Sequence, residues 1–167
     1  MAKGHAIALC WKAASIIDSA EAGRPPSTED AITRFAGRQS GRISRALCEA
    51  AVFAGEEIDA RTIAVITASG LMARRLSSLR PEQRIIALTT ERGVACELSL
   101  VWGIETIHHT PCDSTEEMIK LCERTLVEAG VAQQKETIVL MAGRLSGLGL
   151  SSSVTLYTIG GPLPRQI

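Results

Sequence analysis

Two stretches of this sequence carry residue types that can hold an anion. Thr67-Ala68-Ser69-Gly70 places two hydroxyls and a glycine where a β-branched run (TIAVIT, ending at Thr67) gives way to a helical pattern opened by Leu71 and Met72. Amides at a helix N-terminus favour negative charge, hydroxyls add donors, and glycine lets the backbone approach closely. The segment therefore reads either as an anion cradle or as a capped turn between strand and helix. Gly143-Arg144-Leu145-Ser146-Gly147-Leu148-Gly149, with Ser151 to Ser153 beyond it, also follows a strand-like run. Such a loop either closes Arg144 and its serines over a phosphate or folds back as a tight turn. It is not a P-loop, since G-x-x-x-x-G-K-[ST] is absent, and it does not fit G-x-G-x-x-G.

Other chemistry is thinly provided. His108-His109 with Cys112 lacks the third or fourth convergent ligand that a metal site needs, so no metal ligand is expected. The third histidine is His5, and none stands near a G-x-S-x-G nucleophile pattern. Glu56-Glu57 and Glu116-Glu117 fall on helical patterns and read as solvated faces. The five cysteines, Cys10, Cys48, Cys96, Cys112 and Cys122, form no C-x-x-C pair. Most lie within apolar helical patterns, as free buried thiols do in a reducing compartment.

The elements that must position these residues alternate. Residues 5–22 read as a helix stopped by Gly23, Arg24, Pro25 and Pro26, and a short helix through Phe35 follows a cap at Ser27 or Thr28. Residues 40–57 carry Ile43, Ala46, Leu47, Ala50, Ala51 and Ala54 at helical spacing. Strands are expected at 62–67, 84–89, 104–108, 137–141 and 153–159. Helices are expected at 69–79, 90–101 and 114–130, the last opened by the capping box Ser114-x-x-Glu117. Strand and helix recur at intervals of about 20 residues, the mark of an α/β fold with a largely parallel sheet covered on both faces. The connection between the last two strands is glycine-rich and too short for a crossover helix, so the fifth strand is expected to be antiparallel.

Composition excludes two classes of partner. The 167 residues include 46% apolar and 3% aromatic side chains, and 18 basic groups balance 18 acidic ones. Without basic excess or stacking platforms, nucleic acid is a poor partner. No apolar run approaches the roughly 18–20 residues that span a bilayer, and the N-terminus carries no signal-peptide pattern. A cytoplasmic protein is expected.

The residues in order resemble a known family. Thr67-Ala68-Ser69-Gly70, then Ala73-Arg74, Ser77, Arg80-Pro81 and Ile85 to Thr89 (IIALT) are similar to the T-x-S-G-x-T-A-R-x-x-S-x-x-R-P and IIAVT pattern of the C-terminal domain of pyruvate kinase. LSLVWGI from Leu98, the segment from Gly130 to Gly143, and Gly149 to Ser153 resemble later family motifs in order. Residues 1–38 are similar to the end of the kinase barrel and its linker, which leaves 39–167 as the α/β domain.

The resemblance implies a three-layer α/β/α sandwich with a five-stranded mixed sheet whose last strand is antiparallel. It also implies a regulatory and assembly domain that binds a phosphorylated effector, or an inorganic anion, and forms homo-oligomers. The site it implies comprises Thr67, Ala68, Ser69, Gly70, Leu71, Met72, Arg144, Gly147, Gly149 and Ser151. In the family a lysine, magnesium and potassium serve catalysis from a TIM barrel, so this chain is expected to hold no catalytic residue and no cofactor. The other expectations are a piece of an active pyruvate kinase whose barrel lies elsewhere, making pyruvate and ATP from phosphoenolpyruvate and ADP, or a free-standing sensor. Three departures point to a weakened anion site. Met72 replaces a hydroxyl residue, Lys135-Glu136 replaces Gly-Asp, and the family's helix arginine falls near Met118, with only Lys120 close by.

Overall fold

A computed structural model describes residues 39–142 and 153–162, together with Ser15 and Ser19. The helices expected at 5–22 and after Pro26 lie outside the described residues, apart from those two helical serines. The described chain runs α1 (Gln39–Glu57), β1 (Thr62–Ile66), α2 (Leu71–Leu79), β2 (Arg84–Thr89), α3 (Arg92–Leu98), β3 (Ile104–His108), α4 (Thr115–Glu128), β4 (Thr137–Ala142) and β5 (Ser153–Thr158).

The five strands form one sheet in the order β3-β2-β1-β4-β5. The first four are mutually parallel, and β5 runs antiparallel to β4, with Ile138 opposite Tyr157 and Leu140 opposite Thr155. This is the orientation expected from the short β4–β5 connection, because a parallel return needs a dozen or more residues and usually a helix.

Strand alternation sends successive side chains into two separate apolar layers. Ile63, Val65, Ile85, Ala87, Val139 and Met141 pack with Cys48 and Ala51 of α1, Met72, Ala73 and Leu76 of α2, and Leu98 of α3. Ala64, Ile66, Ile86, Leu88, Ile138 and Leu140 pack with Met118, Ile119, Cys122 and Leu126 of α4. The result is the three-layer α/β/α sandwich with an antiparallel last strand. β1 is buried along its whole length, as a strand covered on both faces must be. Each isoleucine or leucine that is fully enclosed contributes about 1.5–3 kcal/mol.

Local signals place the ends of the elements. Ser114 caps α4, its hydroxyl accepting the Glu117 amide hydrogen at 3.1 Å. The Glu117 carboxylate closes the box one residue early, on the Asp113 amide at 3.1 Å. α2 ends at Arg80, in the left-handed region at φ 52°, immediately before Pro81. The Arg80 guanidinium lies 4.2 Å from the centre of the Trp102 ring, and the Ser77 hydroxyl donates to the Trp102 carbonyl at 2.6 Å. These contacts tie the end of α2 to the loop before β3. α3 is shorter than the helix expected at 90–101, because the chain turns at 99–103 to reach Gly103 at φ 66°.

Candidate anion site at the ends of β1 and β4

The sheet order creates a crevice. From β1 the chain builds outward through β2 to β3, then returns to lay β4 on the other side of β1. Ligands in open α/β sheets bind at such a reversal, beyond the carboxyl ends of the strands. Ile66 at the end of β1 stands in register with Ala142 at the end of β4. The segment 67–70 therefore leaves the sheet beside the end of β4. It is one of the two stretches whose residue types suggest anion binding; the other, which begins at Gly143, lies outside the described residues. Arg144, Gly147, Gly149 and Ser151 lie outside the described residues.

The turn after β1 is held from within. The Thr67 amide donates to the Leu88 carbonyl at 2.9 Å, continuing the pairing with β2. The buried Thr67 hydroxyl accepts the Gly70 amide hydrogen at 3.0 Å. Gly70 sits at φ 73°, in the left-handed region open to glycine. A Cβ there would stand 3.1 Å from the side chains of both Val94 and Leu98, so α3 also presses on this position. The left-handed turn delays the helix, and α2 starts at Leu71 where the sequence suggests Ser69.

What remains for a ligand is narrower than the sequence suggests. Gly70 spends its amide on Thr67, and no side chain caps α2. The first turn of a helix has amides without intrahelical acceptors, and here they belong to Leu71, Met72 and Ala73, while Arg74 already donates to the Gly70 carbonyl. Ser69 is exposed and its hydroxyl makes no hydrogen bond to a described residue; Ala68 is half-buried. The Leu71 side chain is exposed, whereas the Met72 side chain is buried beneath α1 and contributes only its backbone to this end of the helix. The arginines of α2 are engaged elsewhere. Arg74 pairs with Glu97 at 2.6 Å, and Arg75 donates to the Gly41 carbonyl at 3.1 Å.

The remaining reactive residue types are in structural use. His108 Nε2 lies 3.2 Å from the Thr90 carbonyl and His109 Nδ1 2.7 Å from the Thr110 carbonyl. No three metal-capable side chains converge among the described residues. Burial pushes the Cys48 and Cys122 thiols up to about 12, and burial with Glu117 and Asp113 raises Cys112. A cleft beside α4 has no counterpart in the sequence reading. There Glu123 accepts from the Tyr157 hydroxyl at 2.5 Å and from the Gly160 amide at 3.0 Å, with Lys120, Arg124 and Gln134 around it. Burial and then the Glu123 carboxylate push the tyrosine up to about 12. Only the helical spacing of Lys120, Glu123 and Arg124 marks this face in the sequence.

Fold and loop together define a class: an α/β/α domain with an uncapped helix end at the reversal point of its sheet. The sequence matches the model of the pyruvate kinase alpha/beta domain over residues 45–154, and the chain belongs to that family as a C-terminal domain of the pyruvate kinase type. It is 30% identical over 138 residues to the pyruvate kinase of Lactobacillus delbrueckii subsp. bulgaricus, covering 82% of this chain and 23% of that protein. It is 34% identical over 101 residues to that of Clostridium acetobutylicum, covering 60% of this chain and 20% of that protein. The fold is shared with the pyruvate kinase of Cryptosporidium parvum, solved in complex with ADP, at a TM-score of 0.63 and 24% identity, over 70% of this chain and 24% of that one. The matched part of the chain thus spans only about a fifth to a quarter of the length of these relatives.

Proposed function

We propose that this chain is a non-catalytic regulatory and assembly domain, and that the turn from Thr67 to Met72 holds the phosphate of a small metabolite or an inorganic anion. One observation carries this reading. The α2 N-terminus has no side-chain cap and stands beside exposed Ser69 at the reversal point between β1 and β4. Backbone amides and a hydroxyl would bind the anion there, with Arg144, Gly147, Gly149 and Ser151 supplying the second wall. With Arg74 and Arg75 engaged elsewhere, the Arg144 guanidinium is the charge assigned to that wall. One charge with several amides binds phosphate less tightly than a double clamp of charged groups.

The test is calorimetric titration of the 167-residue chain with sulfate and with a sugar phosphate. Ser69→Ala is expected to weaken binding severalfold. Unchanged affinity in that variant, or no binding by the parent chain, would reduce residues 67–72 to a structural turn.

The aligned part of the chain makes up only 23% of the Lactobacillus relative, which favours a second reading, in which this domain works within a pyruvate kinase whose barrel is a separate segment. The resemblance places the family's catalytic lysine, the two acidic ligands for magnesium and the potassium ligands in that barrel. On either reading the isolated chain is expected to form no ATP from phosphoenolpyruvate and ADP. A reading frame encoding a barrel and ending next to this segment would support the second reading.

A further inference from the structure

Helix α4 forms one wall of a cleft of about 530 Å³, near the start of β4 and so at the opposite end of that strand from the anion turn. Small-molecule sites occupy roughly 300–1,000 Å³. Four-residue steps set Lys120, Arg124 and Glu128 in one exposed row along the rim of α4. Glu123 and Val127 lie beside that row on the sheet side, and with Tyr157 they make the floor. The floor is fixed. One Glu123 oxygen accepts from the Tyr157 hydroxyl at 2.5 Å and the other from the Gly160 amide at 3.0 Å. The far wall is the turn through Gly160 and Gly161, and close packing keeps it bare of side chains. A Cβ on Gly160, at φ 79°, would stand 2.6 Å from Gln134 Oε1, and one on Gly161 would stand 2.8 Å from the Thr158 carbonyl oxygen.

The rim charges are unused within the described chain. Lys120, Arg124 and Glu128 make no hydrogen bond or ion pair with a described residue. Lys120 and Arg124 are like charges one turn apart, which disfavour each other until an anion lies between them. Glu128 stands at the other end of the row. Two cations and two carboxylates line the cleft, so its charge balances. A simple anion or cation gains little from such a lining, whereas a molecule with one charge of each sign at its two ends matches both ends. The spacing sets its length. Glu128 lies six residues beyond the midpoint of Lys120 and Arg124, about 9 Å along the helix. Three residues of extended chain reach about 10 Å.

We propose that this cleft binds a short peptide as a zwitterion, with the terminal carboxylate between Lys120 and Arg124, the terminal ammonium on Glu128 and the peptide backbone over Val127. The site is independent of the anion turn, which lies at the other end of β4 and beside a helix on the opposite face of the sheet. The rim charges are exposed, so each contributes modestly and binding weakens as salt rises.

Tyr157 is the only tyrosine of the 167-residue chain, so its ring resonances report on the floor of the cleft. They are followed by nuclear magnetic resonance during titration with triglycine. A saturable shift is expected. N-acetyltriglycine and triglycine amide each lack one terminal charge and are expected to bind about three- to fivefold more weakly, as is free glycine, whose two charges are too close together. Arg124→Gln and Glu128→Gln should each weaken triglycine binding by a similar factor at an unchanged thermal midpoint, since both side chains are exposed. Both variants should keep the parent's response to sulfate, which separates this site from the anion turn. The absence of a saturable shift overturns the proposal. So does binding of the capped peptides or of glycine as tight as that of triglycine, because the cleft then does not read two separated charges. Unchanged triglycine affinity in both variants also overturns it, by placing the peptide elsewhere.

Discussion

The Thr67 hydroxyl accepts the Gly70 amide hydrogen at 3.0 Å, and both residues are buried. This bond fixes the turn that presents the first amides of α2. Thr67→Val keeps the shape of the side chain and strands the amide, which costs about 1–3 kcal/mol when no water reaches it. The thermal midpoint is expected to fall by about 2–4 °C per kcal/mol for a chain of this size. Thr67→Ser should recover most of the loss. A valine variant as stable as the parent would show that the turn holds without the threonine.

How much of this was legible in the sequence depended on the range of the interaction. The antiparallel β5 was readable because loop length is a local fact. The cap on α4 was readable because Ser114 and Glu117 are three residues apart, although the carboxylate's choice of the Asp113 amide was not. The start of α2 was misplaced by two residues because Gly70 turns left-handed before the helix, and the close fit that leaves no room for a side chain there comes from Val94 and Leu98, more than 20 positions away. Met72 was legible as a departure from a pattern. That its side chain faces α1 follows from its helical spacing with Ala73 and Leu76, and this is decided only once the core side of α2 is known. The engagement of Arg74 by Glu97 was hidden for the same reason.

The buried thiols make alkaline pH a probe of the two apolar layers. Cys48 belongs to the layer under α1 and Cys122 to the layer under α4, and burial raises each from 9.0 to about 12. A thiol is neutral when protonated, so a raised value means that the fold favours the protonated form. The stabilisation is fully present below pH 9. Above it the unfolded chain releases the proton first, and stability falls until the folded thiol also ionises near pH 12. The slope is at most about 1.4 kcal/mol per pH unit for each thiol. Urea unfolding at rising pH above 9 should show this decline, flattened in a Cys48→Ala/Cys122→Ala variant. An identical slope in that variant would assign the decline to other groups. In the folded state, exposed Cys96 should react with a thiol reagent well before Cys48 and Cys122.

The cap on α4 tests whether that layer stands independently of the anion turn. The Ser114 hydroxyl satisfies the Glu117 amide, the Glu117 carboxylate satisfies the Asp113 amide, and Glu116 and Glu117 lie at the positive end of the helix. Ser114→Ala removes one of these bonds and is expected to cost about 1 kcal/mol, whereas Ser114→Asp restores an acceptor and should cost little. Because α4 packs on the opposite face of the sheet from α2, neither change should alter anion affinity at Ser69. Thermal denaturation and calorimetric titration of the same two variants separate the outcomes. Lost anion binding in Ser114→Ala at unchanged stability would mean that the ligand contacts the start of α4, and the site would then have to extend across the end of β3.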